Sequence, residues 1–178
     1  MRLVVHGFAT AVLLGACGAP ASGTEYIAQT SDLAGFRSWI AFDRGDDHLP
    51  PNHVGPSWIY LSDRPPAGAT SFPLGTRIVR VQERGDDMTA WEVHAMVKRG
   101  GGYNADGTPG WEMFELSLDA SGGVVVVWRG RGPPDGDGYM AGDGGVLVSC
   151  NQCHGAAGFN DSVLSPVLEL DVLAPPEE

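Results

Sequence analysis

The sequence predicts a mostly β domain of the α+β class: an antiparallel β-sheet with one N-terminal helix and a short C-terminal helix. Three observations predict it. Short runs rich in β-branched and aromatic residues recur between positions 57 and 129, separated by Gly, Pro and Asp clusters. One earlier stretch carries its apolar residues at helical spacing. Near the C-terminus, "CNQCH" at 150–154 has the compact spacing of ligand-bearing residues on one short helix.

The elements follow in order. Arg2 precedes an apolar run from Leu3 to Ala16, which is too short and too rich in Gly and Ala for a spanning helix and fits an export signal over 1–16. The run ends in "LGAC", which resembles a bacterial lipobox. Cys17 would then carry the lipid and begin the mature protein on the periplasmic face of a membrane. Gly18 is not the aspartate associated with inner-membrane retention, so the resemblance favours the outer membrane. Removing 16 of the 178 residues leaves 162, enough for one domain with a real core. Residues 17–30 read as a flexible tether, 31–170 as the folded domain and 171–178 as a frayed tail.

Within the domain, Leu33, Phe36 and Ile40 share a helical face and Ser31 stands as N-cap, which predicts a helix over 32–42. "DRGDDHLPPNHVGP" reads as a loop. Strands are predicted at 57–62, 76–83, 90–98, 111–118 and 123–129. In the second, Val79 and Val81 face one way, and Ile78 and Arg80 the other. In the third, Val93, Ala95 and Val97 oppose Glu92, His94, Met96 and Lys98. This spacing describes an antiparallel meander. The Gly-rich stretch 129–145 reads as a surface loop, since no strand-turn-helix frame supports a nucleotide site there.

Charge and cysteine usage narrow the chemistry. Eleven Lys and Arg stand against 22 Asp and Glu, which disfavours nucleic acid and suits a small molecule or a basic redox partner protein. With Cys17 assigned to lipid, only Cys150 and Cys153 remain, and a bridge between them would staple almost nothing. A structural zinc site wants four ligands. A thioredoxin-like pair wants a βαβ frame that the surrounding sequence lacks. Outside the cytoplasm, CxxCH therefore reads as covalent attachment of one haem c, with thioether bonds at Cys150 and Cys153 and His154 as the iron's proximal ligand.

One helix, an antiparallel sheet and a single C-terminal CxxCH, together with "FRSWIAF", "WIYLSD", "FPLGTRIVRV", "HAMVKRGGGYNADGTPGWEMFEL" and "CNQCHGAAGFNDSVLS", resemble the cytochrome P-460 family, which includes the β-sheet cytochromes c-prime. The resemblance spans about Phe36 to Ser165. It implies a dimer with one five-coordinate c haem whose open face meets the sheet. It also implies ligands or substrates that are small nitrogen species, such as hydroxylamine or nitric oxide. The family's hydroxylamine oxidases cross-link a lysine to the haem. The matching residue here is Arg80, whose guanidinium stays protonated and is a poor nucleophile. Their distal arginine falls at Ser57.

Other residues complete the inventory. Arg80 is a candidate distal-pocket residue, a cation for a haem propionate or a bound anion. Lys98 is the sole lysine and is expected at the solvated strand edge. His94 and Met96 are candidate sixth ligands, and either would make the chain a low-spin electron carrier in place of a ligand-binding haem protein. His48 and His53 read as loop residues, and the five tryptophans as core and pocket wall.

Overall fold

In a computed structural model, which describes residues 23–46, 56–133, 139–141 and 146–175, the chain is mostly β. Six strands form one antiparallel sheet in sequence order. They are β1 (Ile40–Asp46), β2 (Pro56–Leu61), β3 (Arg77–Gln82), β4 (Glu92–Lys98), β5 (Trp111–Leu118) and β6 (Val124–Gly130). A separate two-stranded ribbon pairs β7 (Tyr139–Ala141) with β8 (Val146–Val148). The helices are short. Among them are α1 (Thr30–Leu33), α2 (Cys150–Gly155) and α3 (Leu170–Leu173). No helix among the described residues is long and apolar enough to cross a membrane.

The five expected strands are present, with ends within two residues of those read from the sequence. The helix expected over 32–42 is not. After one turn, Gly35 takes a left-handed φ of 68°, a 3-10 turn covers Phe36–Ser38, and β1 begins at Ile40. The cause lies in side-chain destinations. Leu33 and Phe36 belong to one core cluster, whereas Ile40 packs with the other, across the sheet. A single helical face cannot serve both. The ribbon strand β7 stands within the stretch 129–145 that was expected to be a plain loop, and β8 follows directly after that stretch.

Both faces of the sheet are apolar. The first carries Val79, Val81, Val93, Ala95, Val97, Phe114, Leu116 and Leu118. The N-terminal arm covers it with Ala28, Leu33 and Phe36. Arg129 fixes that arm by donating to the Ala28 carbonyl at 2.7 Å while both its terminal and ε nitrogens hold the buried Glu112 carboxylate at 2.8 Å. Tyr26 N–H also donates to the Arg99 carbonyl at 2.9 Å. The segment expected to be a free tether up to residue 30 is thus docked from Glu25, which bridges to Gly100.

The second face carries Ile59, Leu61, Ile78, Met96, Trp111 and Met113. The C-terminal arm covers it with Val163, Leu168, Leu170 and Leu173. This arm persists beyond the expected end of the domain: Leu173 and Ala174 are buried, and the Ala174 carbonyl accepts from Gly68 N–H at 2.8 Å. Cys17, the other residues of the expected signal and tether up to 22, His48 and His53 lie outside the described residues.

Truncating a core anchor of the first face tests this two-sided packing. Phe36 is 1% exposed and meets Tyr60 edge-on at 5.2 Å between ring centroids. Phe36→Ala should lower the unfolding free energy by about 3–5 kcal/mol, measured by urea denaturation. Val172→Ala, at a side chain 63% exposed, should change it by less than about 0.5 kcal/mol.

Candidate functional site

The C-terminal arm does not cover the whole second face. Between it and the sheet lies a cavity of about 220 Å³, several times the ~30 Å³ that one water occupies in the liquid. Its size therefore suits an organic group and not a lone ion. The sheet wall is formed by Ile59, Ile78, Arg80, His94, Met96, Met113 and Trp128. The facing wall contains Cys150, Cys153 and His154 from α2, with Val163, Ser165 and Leu168 beyond them. The three residues of the CxxCH motif and the sheet residues Arg80, His94 and Met96, expected from the sequence as site candidates, thus share one cavity. Ser57 and Lys98 do not line it.

The local sequence explains why α2 presents those three residues. Positions 150, 153 and 154 stand at i, i+3 and i+4, one face of a helix. The two intervening residues hold the helix. Gln152 completes a capping box with Ser149: its N–H donates to Ser149 Oγ at 3.2 Å, and its Oε1 accepts from Ser149 N–H at 2.8 Å. Asn151 joins the loop after β4 through a reciprocal amide pair with Asn104, at 2.7 and 3.0 Å, and accepts from Thr108 Oγ1 at 3.1 Å. A Cβ at Gly107 would lie 2.3 Å from Asn151, so this docking needs glycine there.

The tautomer of His154 follows from its partner. Its Nδ1 lies 3.0 Å from the Ser162 carbonyl oxygen, which can only accept. Nδ1 therefore carries the proton, and Nε2 keeps the lone pair that a metal would use. Burial lowers the pKa of the imidazole, which favours the neutral, ligating form, while the Ser162 hydrogen bond acts in the opposite sense. Burial also pushes the Cys150 thiol up to about 11. A redox-active thiol needs a depressed pKa, so Cys150 is poorly suited to disulfide exchange.

The turn that supplies the Ser162 carbonyl is strained. Asp161 and Ser162 both adopt left-handed backbone, with φ of 50° and 65°, which costs non-glycine residues of order 1 kcal/mol or more each. Asp161 is held from three directions. Lys98 Nζ lies 2.5 Å from its Oδ1, Phe72 N–H donates to Oδ2 at 2.8 Å, and Trp111 Nε1 donates to its carbonyl at 2.6 Å. This corrects the expectation for Lys98. Its side chain is only 13% exposed and its ammonium sits 4.9 Å from the Trp111 ring centroid, not free in water.

The sheet wall bears an ordered polar row. Arg80 on β3 stands opposite His94 on β4, His94 opposite Glu115 on β5, and Glu115 opposite Trp128 on β6. Trp128 Nε1 donates to Glu115 at 2.5 Å, and Arg80 donates to Gln82 Oε1 at 3.1 Å. Sequence reasoning missed Arg44, which also lines the cavity and donates to Ser165 Oγ at 3.0 Å. The alternation of Ile40, Phe42 and Arg44 was its one signal, and the competing helical spacing obscured it. Among the described residues no group of three or more His, Cys, Asp and Glu side chains is arranged to hold a metal ion by itself.

Comparison of the chain with models of protein families, with curated proteins and with solved structures found no match in any of the three.

The Cys150 environment gives a direct test in the chain free of any cofactor. At pH 8 a thiol of pKa about 11 holds roughly a hundredfold less thiolate than an ordinary cysteine. Alkylation of Cys150, followed by peptide mass spectrometry, should be slowed to a similar degree relative to a free thiol. Its rate should still be rising tenfold per pH unit near pH 9. Rapid labelling at pH 7 would show the thiol to be exposed or activated.

Proposed function

We propose that the chain is an exported mono-haem c-type cytochrome of the P-460 type, which binds or transforms small nitrogen species such as nitric oxide or hydroxylamine at an open distal site. One observation carries the reading: Cys150, Cys153 and a His154 with an unprotonated Nε2 share a largely apolar cavity with a sheet face. The residues fit the group. The thiols would hold haem by thioether bonds, His154 would ligate the iron, and the apolar walls would exclude water from the ring. When bound, haem supplies a redox-active metal with a site for a small ligand.

The protein's own residues would set the rest. Arg80 and Arg44 bring two permanent cations to an apolar cavity, suited to propionates or to an anionic ligand. His94, between Arg80 and Glu115 on the sheet, can hold or release a proton at the wall opposite α2. Arg80 lines the cavity but does not supply an amine nucleophile, and Lys98 is engaged by Asp161. Both features support a haem without a third covalent bond and weigh against vigorous hydroxylamine oxidation. Met96 favours one competing reading: it is buried and lines the same cavity, so iron ligation by its thioether would make the protein an electron carrier.

Acid denaturation followed by organic extraction should leave haem on the polypeptide. Peptide mapping should find it on Cys150 and Cys153 alone, with no link at Arg80 or Lys98. Extractable haem would sink the central claim. The resting ferric spectrum should be high-spin and should respond to nitric oxide. A low-spin spectrum that becomes high-spin in Met96→Ala or His94→Ala would establish the electron carrier instead.

The leader supports a lipid anchor at Cys17, on the periplasmic side and by resemblance at the outer membrane. Cys17→Ala should release or misprocess the protein, because diacylglycerol and a further acyl chain together give stable attachment while one chain does not. Equal membrane partitioning of wild type and variant in fractionated cells would leave an ordinary signal peptide as the better account.

A further inference from the structure

We propose that Lys98 and Asp161 form a positioning pair for His154, acting through the carbonyl of Ser162. The consequence for an iron ligand rests on the haem reading above, whereas the geometry concerns the imidazole alone. His154 is directed by one hydrogen bond to backbone, Nδ1 to the Ser162 carbonyl at 3.0 Å. That carbonyl is aimed by a turn in which two consecutive non-glycine residues are left-handed. Such a turn persists only where its surroundings over-determine it. Here the constraints converge on the first residue of the turn. Its carboxylate takes Lys98 Nζ at 2.5 Å and Phe72 N–H at 2.8 Å, and its carbonyl takes Trp111 Nε1 at 2.6 Å.

The choice of groups points to orientation. A lysine and an aspartate that are each 13% exposed gain little stability over an apolar pair of the same volume. What the ion pair adds is a fixed position for Asp161 relative to β4 and β5. Lys98 stands directly opposite Trp111 across those strands, so the two donors reach Asp161 from one rigid part of the sheet. The path runs from the sheet through Asp161 and the Ser162 carbonyl to His154. Each link is a hydrogen bond or a peptide unit. The pair thereby fixes which ring nitrogen is protonated and how the ring stands in the cavity. Lys98 and Asp161 are positioning residues, and neither lines the cavity.

The imidazole ¹⁵N shifts of His154 test this without haem, in the full-length chain purified before haem is added. Wild type should show one tautomer, with Nδ1 protonated. Lys98→Met and Asp161→Ala should lose that pattern, with the two nitrogen signals moving towards a common average. Lys98→Arg, which keeps the cation, should restore it. In the haem-loaded protein the same two substitutions should broaden and shift the iron–histidine stretching band, and Lys98→Arg should not. If Asp161→Ala fails to fold, Lys98→Met carries the test, since its methylenes still cover Trp111. An unchanged tautomer in a folded Lys98→Met variant would overturn the proposal. A chain that never takes up haem, yet shows these tautomer changes, would overturn the haem reading and leave the positioning pair standing.

Discussion

A sheet that is apolar on both faces must be covered twice, and the rest of this structure follows from that constraint. Val79, Val81, Val93 and Val97 look one way, while Ile59, Leu61, Ile78 and Met96 look the other. Burying only one set would leave the second in water, at a cost of about 1.5–3 kcal/mol for each large side chain. The chain meets the need with its two ends. The N-terminal arm seals the first face, pinned by Arg129 and by main-chain pairing at Arg99 and Gly100. The C-terminal arm seals part of the second, and the unsealed part is the cavity. The CxxCH helix faces that cavity because it begins the same arm.

The cavity's sheet wall shows how pairing register produces chemistry. Side chains on one face alternate along a strand, so a polar residue on each of four adjacent strands can form a row only if the registers agree. Arg80, His94 and Glu115 meet this condition through regular antiparallel pairing. Trp128 meets it through an irregularity. The ladder between β5 and β6 skips a residue, pairing Leu116 with Val126 but Glu115 with Trp128. That extra residue, a β-bulge, returns Trp128 to the cavity face, where its indole N–H holds Glu115. Without it the indole would point away, and the carboxylate opposite His94 would lose this hydrogen bond.

Much of this was legible in the sequence, and the failures have physical causes. The strands from 57 to 129 announced themselves because their period is two and their turns are rich in glycine and aspartate. Ile40 misled because Leu33, Phe36 and Ile40 satisfy a helical period, although Ile40 and Phe42 satisfy the strand period too. A left-handed Gly35 decided between them. Alternation put Arg80 on one face with Ile78, and His94 on one face with Met96, but it did not say which face meets the cavity; only the family resemblance pointed Arg80 there. Arg44 required knowing that β1 exists. Lys98 was misplaced for a different reason. Its environment is made by Asp161, 63 positions away, and no local pattern reports a partner at that distance. The strained turn at 161–162 was equally silent, since neither Asp nor Ser advertises a left-handed backbone as glycine does.

The motif at the centre of the site is usually read for its cysteines and histidine, yet here the two residues between the cysteines fix its position. Gln152 closes the helix N-terminus on Ser149, and Asn151 locks the helix to the buried Asn104 and Thr108. Neither interaction involves a thiol or the imidazole. The helix is therefore held in place by contacts that leave the two thiols and His154 Nε2 uncommitted, on one face, against a largely apolar cavity. A disulfide switch gains nothing from such an arrangement, because burial keeps the Cys150 thiol protonated. A four-ligand metal clip is not built here either: among the described residues no three His, Cys, Asp or Glu side chains are arranged to hold a metal ion. Two thiols and a neutral imidazole held on one wall suit the proposed attachment of a planar, apolar cofactor along one edge. The supporting contacts and the groups they present thus favour the proposed haem attachment over a disulfide switch or a metal clip.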